Sequence, residues 1–383
     1  MPGPLALLAL SASYFVMGVA TLSVVGLIAP MSRGLGVQPS SIALLLTSFA
    51  LTYALAAPLM QILIGDWNRR KMIEIGLLTM AAGAGMGALA IGWWTLVVAR
   101  ILTAVGAGLV GPMSSATGAA IVPPDRRGGA LGIVFAGMPI ATVIGVPASA
   151  WLGQFLGWRM VMGFVAFGAL LVLGAVRMVV PSCPGGKRQT PRALVGILIE
   201  PVLGPAIGVT LFQMAALFAT YSLLPEFLGR DFGIGTDLMP FGLAAYGIGG
   251  ILGNLLAAPA VDAVGPERLI LISLVALLAV FAAFLLAPAV PIVALVLTLV
   301  WAMAGMMMIV PQQSRLIQLA PSNANLVLAL NGSALYFGMA AGGARASVVG
   351  RQVGVRALPM TSGVLVGLAS LAYLAARVTQ RFH

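Results

Sequence analysis

The stretch Leu269-Ile-Leu-Ile-Ser-Leu-Val-Ala-Leu-Leu-Ala-Val-Phe-Ala-Ala-Phe-Leu-Leu286 runs eighteen residues without a charge, and Ser273 is its one polar side chain. Crossing the hydrocarbon of a bilayer as a helix takes roughly 20 predominantly apolar residues, so this segment reads as a membrane span. The other way to cross is a barrel strand, which alternates lipid-facing and lumen-facing side chains, and nothing here alternates. With no water in the hydrocarbon, each backbone amide must be satisfied inside its own segment, and that leaves the helix.

Outward from this stretch, the charge-free run extends over 269–314 and holds two helices around Pro288 and Pro291. Ten further charge-free runs occupy 1–32, 34–65, 75–99, 101–124, 128–158, 160–176, 201–225, 238–261, 316–344 and 357–376. They imply twelve spans, expected near 5–29, 42–64, 73–92, 94–121, 130–152, 160–180, 197–224, 237–261, 269–288, 291–318, 326–348 and 358–378. Composition agrees: of 383 residues 61% are hydrophobic and 8% charged, more apolar surface than a soluble fold can hide. The lipid bilayer is the expected solvent. The first span has no basic segment ahead of it, which argues for a retained helix rather than a cleaved leader.

A net charge of +11 raises the question of a nucleic-acid partner, but a basic footprint for that purpose clusters on one solvated face. Here the cations follow topology. With the N-terminus inside, cytoplasmic segments hold thirteen of the twenty Lys and Arg, Arg315 among them, and outer segments hold six. That bias fits the positive-inside rule, and the expectation is a multi-pass protein of the bacterial inner membrane with both termini cytoplasmic. No nucleic acid is expected, and the single Cys183 cannot form an internal disulfide.

One mid-chain break stands out. Residues 181–196 contain Pro181-Ser-Cys-Pro-Gly-Gly-Lys-Arg-Gln-Thr-Pro-Arg192, whose Pro, Gly and positive charges mark a cytoplasmic linker. It divides the chain into 1–180 and 197–383, six spans each. Landmarks repeat across the break: Asp66 and Asp262 are 196 residues apart, Pro112 and Pro311 are 199 apart, and Pro123 and Pro321 are 198 apart. With six spans per half the duplication is parallel, which places a pseudo-two-fold along the membrane normal. The fold class is therefore an all-α membrane protein of twelve helices in two six-helix bundles. Glycines at i,i+4 spacing, Gly83/Gly87, Gly128/Gly132, Gly249/Gly253 and Gly338/Gly342, read as packing seams between helices.

The loop after the second span, Gly65-Asp66-Trp67-Asn68-Arg69-Arg70-Lys71, resembles the signature of the major facilitator superfamily, G-x-x-x-D-x-x-G-R-[RK]. Asp66, Arg70 and Lys71 fall on its charged positions, while Ile62 and Arg69 replace its glycines. A degenerate copy follows in the second half as Asp262-Ala-Val-Gly265-Pro-Glu-Arg268. A carboxylate at a helix end beside cations and a helix N-terminus can latch two helices in one state and release them in another. The resemblance thus makes Asp66, Arg70, Lys71, Asp262 and Arg268 a conformational latch. Span 5 and its exit, Gly137-Met-Pro139, Gly145-Val-Pro147, Trp151-Leu-Gly-Gln154 and Gly157-Trp-Arg159-Met160, look like the sugar, drug and purine efflux permeases of the drug:proton antiporter branch.

That resemblance implies alternating access around a cavity lined mainly by spans 1, 4, 7 and 10. It places Tyr14, Arg100, Thr142, Gln213, Tyr221, Trp301, Gln312, Asn331 and Tyr336 at a substrate site. Each of these could instead satisfy a neighbouring backbone. Arg100, in Arg100-Ile-Leu-Thr-Ala-Val-Gly106-Ala-Gly108, is the deepest charge and either binds an anionic group, tunes a proton site or reaches the interface. All nine acids fall at or near span ends, so a coupling carboxylate has to come from Glu200, Glu226 or Asp231, with Arg100 as a further coupling candidate.

The expected function is a monomeric secondary transporter that uses the proton gradient to export a small-molecule substrate such as a sugar, drug or metabolite. An organic-anion exchanger or uniporter centred on Arg100 is the alternative, and a non-transporting membrane scaffold a second. No enzyme is expected, since no nucleophile, base or paired-carboxylate constellation lies within the spans. No cofactor is expected either. Met303, Met306, Met307 and Met308 suggest copper only at first sight, because consecutive residues of a helix face different ways.

Overall fold

The computed structural model describes residues 4–123, 127–185, 191–321 and 324–382, and every regular element among them is helical. Eleven of these segments are long and apolar enough to cross a membrane. The twelfth crossing is α4, below, whose first turn carries Arg69, Arg70 and Lys71 and whose second half is rich in glycine.

Two units emerge. The first, Met1–Gln38 with Ser48–Gln189, contains α1 (Pro4–Gly26), α2 (Ile28–Leu35), most of α3 (Pro39–Ile64), α4 (Arg69–Ala88), α5 (Trp93–Ala120), α6 (Arg127–Phe135), α7 (Gly137–Ile140), α8 (Val146–Phe155) and α9 (Trp158–Val179). The second, Thr190–His383 with Pro39–Thr47, contains α10 (Pro191–Leu198), α11 (Leu203–Tyr221), α12 (Leu224–Phe232), α13 (Met239–Val264), α14 (Pro266–Leu286), α15 (Pro291–Met306), α16 (Ile309–Leu319), α17 (Ala324–Gln352) and α18 (Leu358–Phe382).

Local chemistry sets the helix starts. The side chain of Asn68 accepts from the backbone N–H of Lys71, so α4 begins at Arg69, four residues ahead of the expected span. In the second unit Gly265 alone separates α13 from α14. Its φ of 81° suits glycine, and Pro266 at the first helical position has no N–H to lose. Part of the linker is helical too: α10 starts at Pro191, inside the stretch expected to be irregular.

Span 5 is broken where Pro139 and Pro147 remove backbone donors. Helices α6, α7 and α8 are joined through a π-helical turn at Ala141–Gly145, the adjustment that lets a proline-bearing helix stay continuous. Span 10 likewise divides into α15 and α16 after Met306.

Two glycine pairs make the closest helix contacts of the second unit. A Cβ on Gly249 or Gly253 of α13 would collide with the carbonyls of Leu299 and Met303 on α15. One on Gly338 or Gly342 of α17 would collide with those of Leu211 and Ala215 on α11. Because lipid tails are as apolar as the helices, such van der Waals contact holds a bundle together. Gly132 has nothing within 4 Å and forms no seam.

Candidate functional site

In the first unit Arg100, Tyr14 and Thr142 are committed to helix backbones. Arg100, 3% exposed, donates to the carbonyl oxygens of Ala20 and, at 3.0 Å, Thr21 on α1, and its guanidinium lies 4.5 Å over the Phe49 ring. A buried cation demands such partners. The Tyr14 hydroxyl donates to the carbonyl of Gly111 at 2.9 Å, and its ring meets Phe135 edge-on at 5.2 Å. Thr142 bonds back to the Met138 carbonyl within its own helix. A small cavity beside Arg100 is otherwise lined by apolar residues and Thr103.

The second unit gathers amides. Gln213 of α11 donates from Nε2 to the Gly305 carbonyl at 2.9 Å, and Gln312 of α16 donates from Nε2 to the Ala206 carbonyl at 2.6 Å. Thr210 donates to Asn331 Oδ1 on α17 at 2.6 Å. Gln213, Gln312, Asn331 and Thr210 line one small cavity, and all four are buried.

Further along α11, Tyr221 packs against Tyr246 of α13 with ring centroids 4.3 Å apart, and Tyr246 meets Trp301 of α15 at 4.9 Å. The Tyr246 hydroxyl and Trp301 Nε1 are buried without a hydrogen bond. Tyr336 is buried on α17. The nine residues expected at a substrate site therefore fall into an amide group, an aromatic group, and separate positions at Tyr14, Arg100, Thr142 and Tyr336.

The residues expected as a latch have distinct tasks. Arg70 pairs with Glu74 at 2.8 Å and donates to the carbonyls of Arg177 (2.7 Å) and Val180 (3.1 Å) at the C-terminal end of α9, where helix carbonyls lack partners. Neighbouring Arg69 reaches the Ala116 carbonyl near the end of α5 at 2.8 Å. Asp66 is exposed, its backbone packed beneath Gly185 of the linker, and Lys71 and Arg268 are exposed. The side chain of Asp262 lies outside the described residues.

Of the coupling candidates, Glu200 accepts from the backbone N–H groups of Val202 (3.1 Å) and Leu203 and so caps the start of α11. Glu226 pairs with Arg230 at 2.8 Å, and burial raises its proton affinity against the opposing pull of that arginine. Asp231 is also shifted upward by burial, with Arg356 and Arg230 opposing, and its Oδ2 is buried without a hydrogen bond.

Sequence reasoning missed three participants. Thr210 and Tyr246 are single polar residues in apolar runs, and only their partners make them notable. Arg315, counted above with the cytoplasmic cations, is 2% exposed: it lies 3.9 Å from Glu267 and 4.8 Å over the Tyr373 ring, with no hydrogen bond from any guanidinium nitrogen. The signal was its position inside the expected tenth span, three residues before its end.

Spans of this number and packing, with buried polar side chains held inside them, define a polytopic helical membrane protein of the solute-carrier kind. The Major Facilitator Superfamily model matches residues 8–343 and 206–381, and the chain belongs to that family of transporters. It is 27% identical over 379 residues to the inner membrane transport protein YdhP of Escherichia coli K12, covering 95% of this chain and 94% of that one. A probable sugar efflux transporter of Pasteurella multocida is 23% identical over 329 residues, covering 86% and 80%. The fold matches a bacterial homologue of the human lysosomal transporter Spinster, solved inward-facing and unoccupied, with a TM-score of 0.75 at 18% identity over 97% of this chain and 96% of that one.

Proposed function

We propose that this transporter is a proton-coupled exporter of small organic molecules, working by alternating access from the inner membrane with both termini in the cytoplasm. The observation that carries the reading is the amide cavity of Gln213, Gln312 and Asn331. A buried polar atom left unpaired in an apolar interior, as Gln312 Oε1 is, costs about 1–3 kcal/mol, so amides gathered around open space suit a solute better than a scaffold. The sugar efflux name of one relative and the antiporter-like sequence of span 5 support the outward direction.

Proton coupling rests on Asp231 and Glu226, which α12 places just past the end of α11. Their upward shifts mean that they take up a proton at a higher pH than an exposed carboxylate and lose it as pH rises through that raised value. The anion-exchange alternative needs Arg100 to offer donors to a solute, whereas its guanidinium is engaged with the α1 carbonyls.

In inverted membrane vesicles carrying an acid-inside gradient, adding a transported solute should dissipate the gradient. Asp231→Asn should flatten the pH profile of that response while leaving solute exchange at equal pH intact. Gradient-independent flux in the wild type, with a profile that Asp231→Asn does not change, would remove protons from the scheme.

A further inference from the structure

The amide cavity of the second unit carries information about what is moved. Its polar lining comes from Thr210 and Gln213 on α11, Gln312 and Gln313 on α16, and Asn331 on α17, and no residue around it bears a formal charge. The orientation of Gln312 is fixed by its neighbour: the Ala206 carbonyl can only accept, so the amide turns Nε2 toward it. Oε1 then faces the other way, is buried, and has no partner. Asn331 is oriented by the same logic, since its Oδ1 accepts from Thr210 and its Nδ2 is left as a donor.

We propose that this cavity recognises a hydroxyl or amide group of an uncharged solute, with Gln312 Oε1 as the acceptor for the solute's O–H or N–H. The inference rests on the transporter reading above and deepens it to a substrate class. A hydroxyl or a secondary amide offers a donor and an acceptor together, which matches an unpartnered acceptor beside an available donor. An ion does not match. A carboxylate or ammonium drawn into this lining would leave water without meeting a counter-charge, at a desolvation cost that neutral amides do not repay. The free space, about 20 Å³, admits one such group rather than a whole molecule. Met214, Met308 and Leu335 around it give the adjoining carbon skeleton an apolar, adaptable bed.

The test is equilibrium binding of radiolabelled probes to the purified full-length chain, paired with their flux in proteoliposomes. The uncharged probes are D-xylose, D-mannitol and N-acetyl-D-glucosamine, and the charged ones are benzoate and tetraphenylphosphonium. At least one uncharged probe should bind and both charged ones should not. Gln312→Met, which keeps length but removes both amide atoms, should weaken that binding by about tenfold, the scale of one lost neutral hydrogen bond. Thr210→Val, equal in shape, should weaken it by about threefold by releasing Asn331.

Failure of all three uncharged probes to bind, or unchanged affinity in both variants, overturns the inference. Flux of benzoate or tetraphenylphosphonium alone would overturn it while leaving the transporter reading standing. Uncharged binding sensitive to Gln312→Met but without any flux would keep the inference and sink the transporter reading.

Discussion

Among the described residues each unit buries one arginine inside a span, and the two are held in opposite ways. Arg100 spends its donors on the carbonyls of Ala20 and Thr21, so α1 and α5 are joined by charge-assisted hydrogen bonds that need no acid. Arg315 makes no hydrogen bond and relies on the Glu267 carboxylate at 3.9 Å and the Tyr373 ring, while Arg377 competes for the same carboxylate at 3.5 Å. Fixed dipoles solvate the first cation and an ionic partner balances the second. The first arrangement is rigid, whereas the second can be undone by a change at one side chain.

The largest effect should come from breaking the rigid arrangement. Arg100→Ala removes two hydrogen bonds from a charged donor and the packing over Phe49, offset in part by the relief of burying a cation, and should cost about 3 kcal/mol. Unfolding of the detergent-purified chain by SDS titration measures it. Glu267→Gln should cost about 2 kcal/mol by leaving Arg315 without a counter-charge; a fully buried pair would lose more, but Glu267 is 36% exposed. Arg315→Met should sit within about 1 kcal/mol of the parent, because a well-packed apolar side chain often replaces a buried ion at no loss. A loss for Arg315→Met equal to that for Arg100→Ala would erase the distinction between the two arginines.

The same contrast explains what the sequence made legible. Spans are written in local composition, so the crossings could be read from runs of apolar residues. The residues that carry polarity inside the spans could also be found, since Gln213, Gln312 and Asn331 interrupt those runs. Their grouping could not. Thr210 and Asn331 are 121 residues apart and Gln312 and Ala206 are 106 apart, pairings set by how helices pack in the bundle and not by any local pattern. The burial of Arg315 was hidden for a related reason. A cation near a span end reads as solvated, and only the approach of α14 and α18, with Glu267 and Tyr373, takes it out of water.

Two details had local causes that a hydropathy count overlooks. Asn68 caps α4 and draws a charged turn into the helix, and Glu200, a coupling candidate by position, is occupied by the first N–H groups of α11. A carboxylate at a span end is as often a cap as a proton carrier, and its backbone neighbours tell the two apart.

The central claim is transport coupled to protons, and the most direct measurement is solute accumulation in proteoliposomes holding the purified chain and an internal pH dye. With the lumen made acidic, an uncharged solute such as D-xylose should accumulate inside above its external concentration while the lumen alkalinises, and collapsing the pH gradient should release it. Equilibration to equal concentrations with no change in internal pH, or no movement of solute at all, would contradict the account.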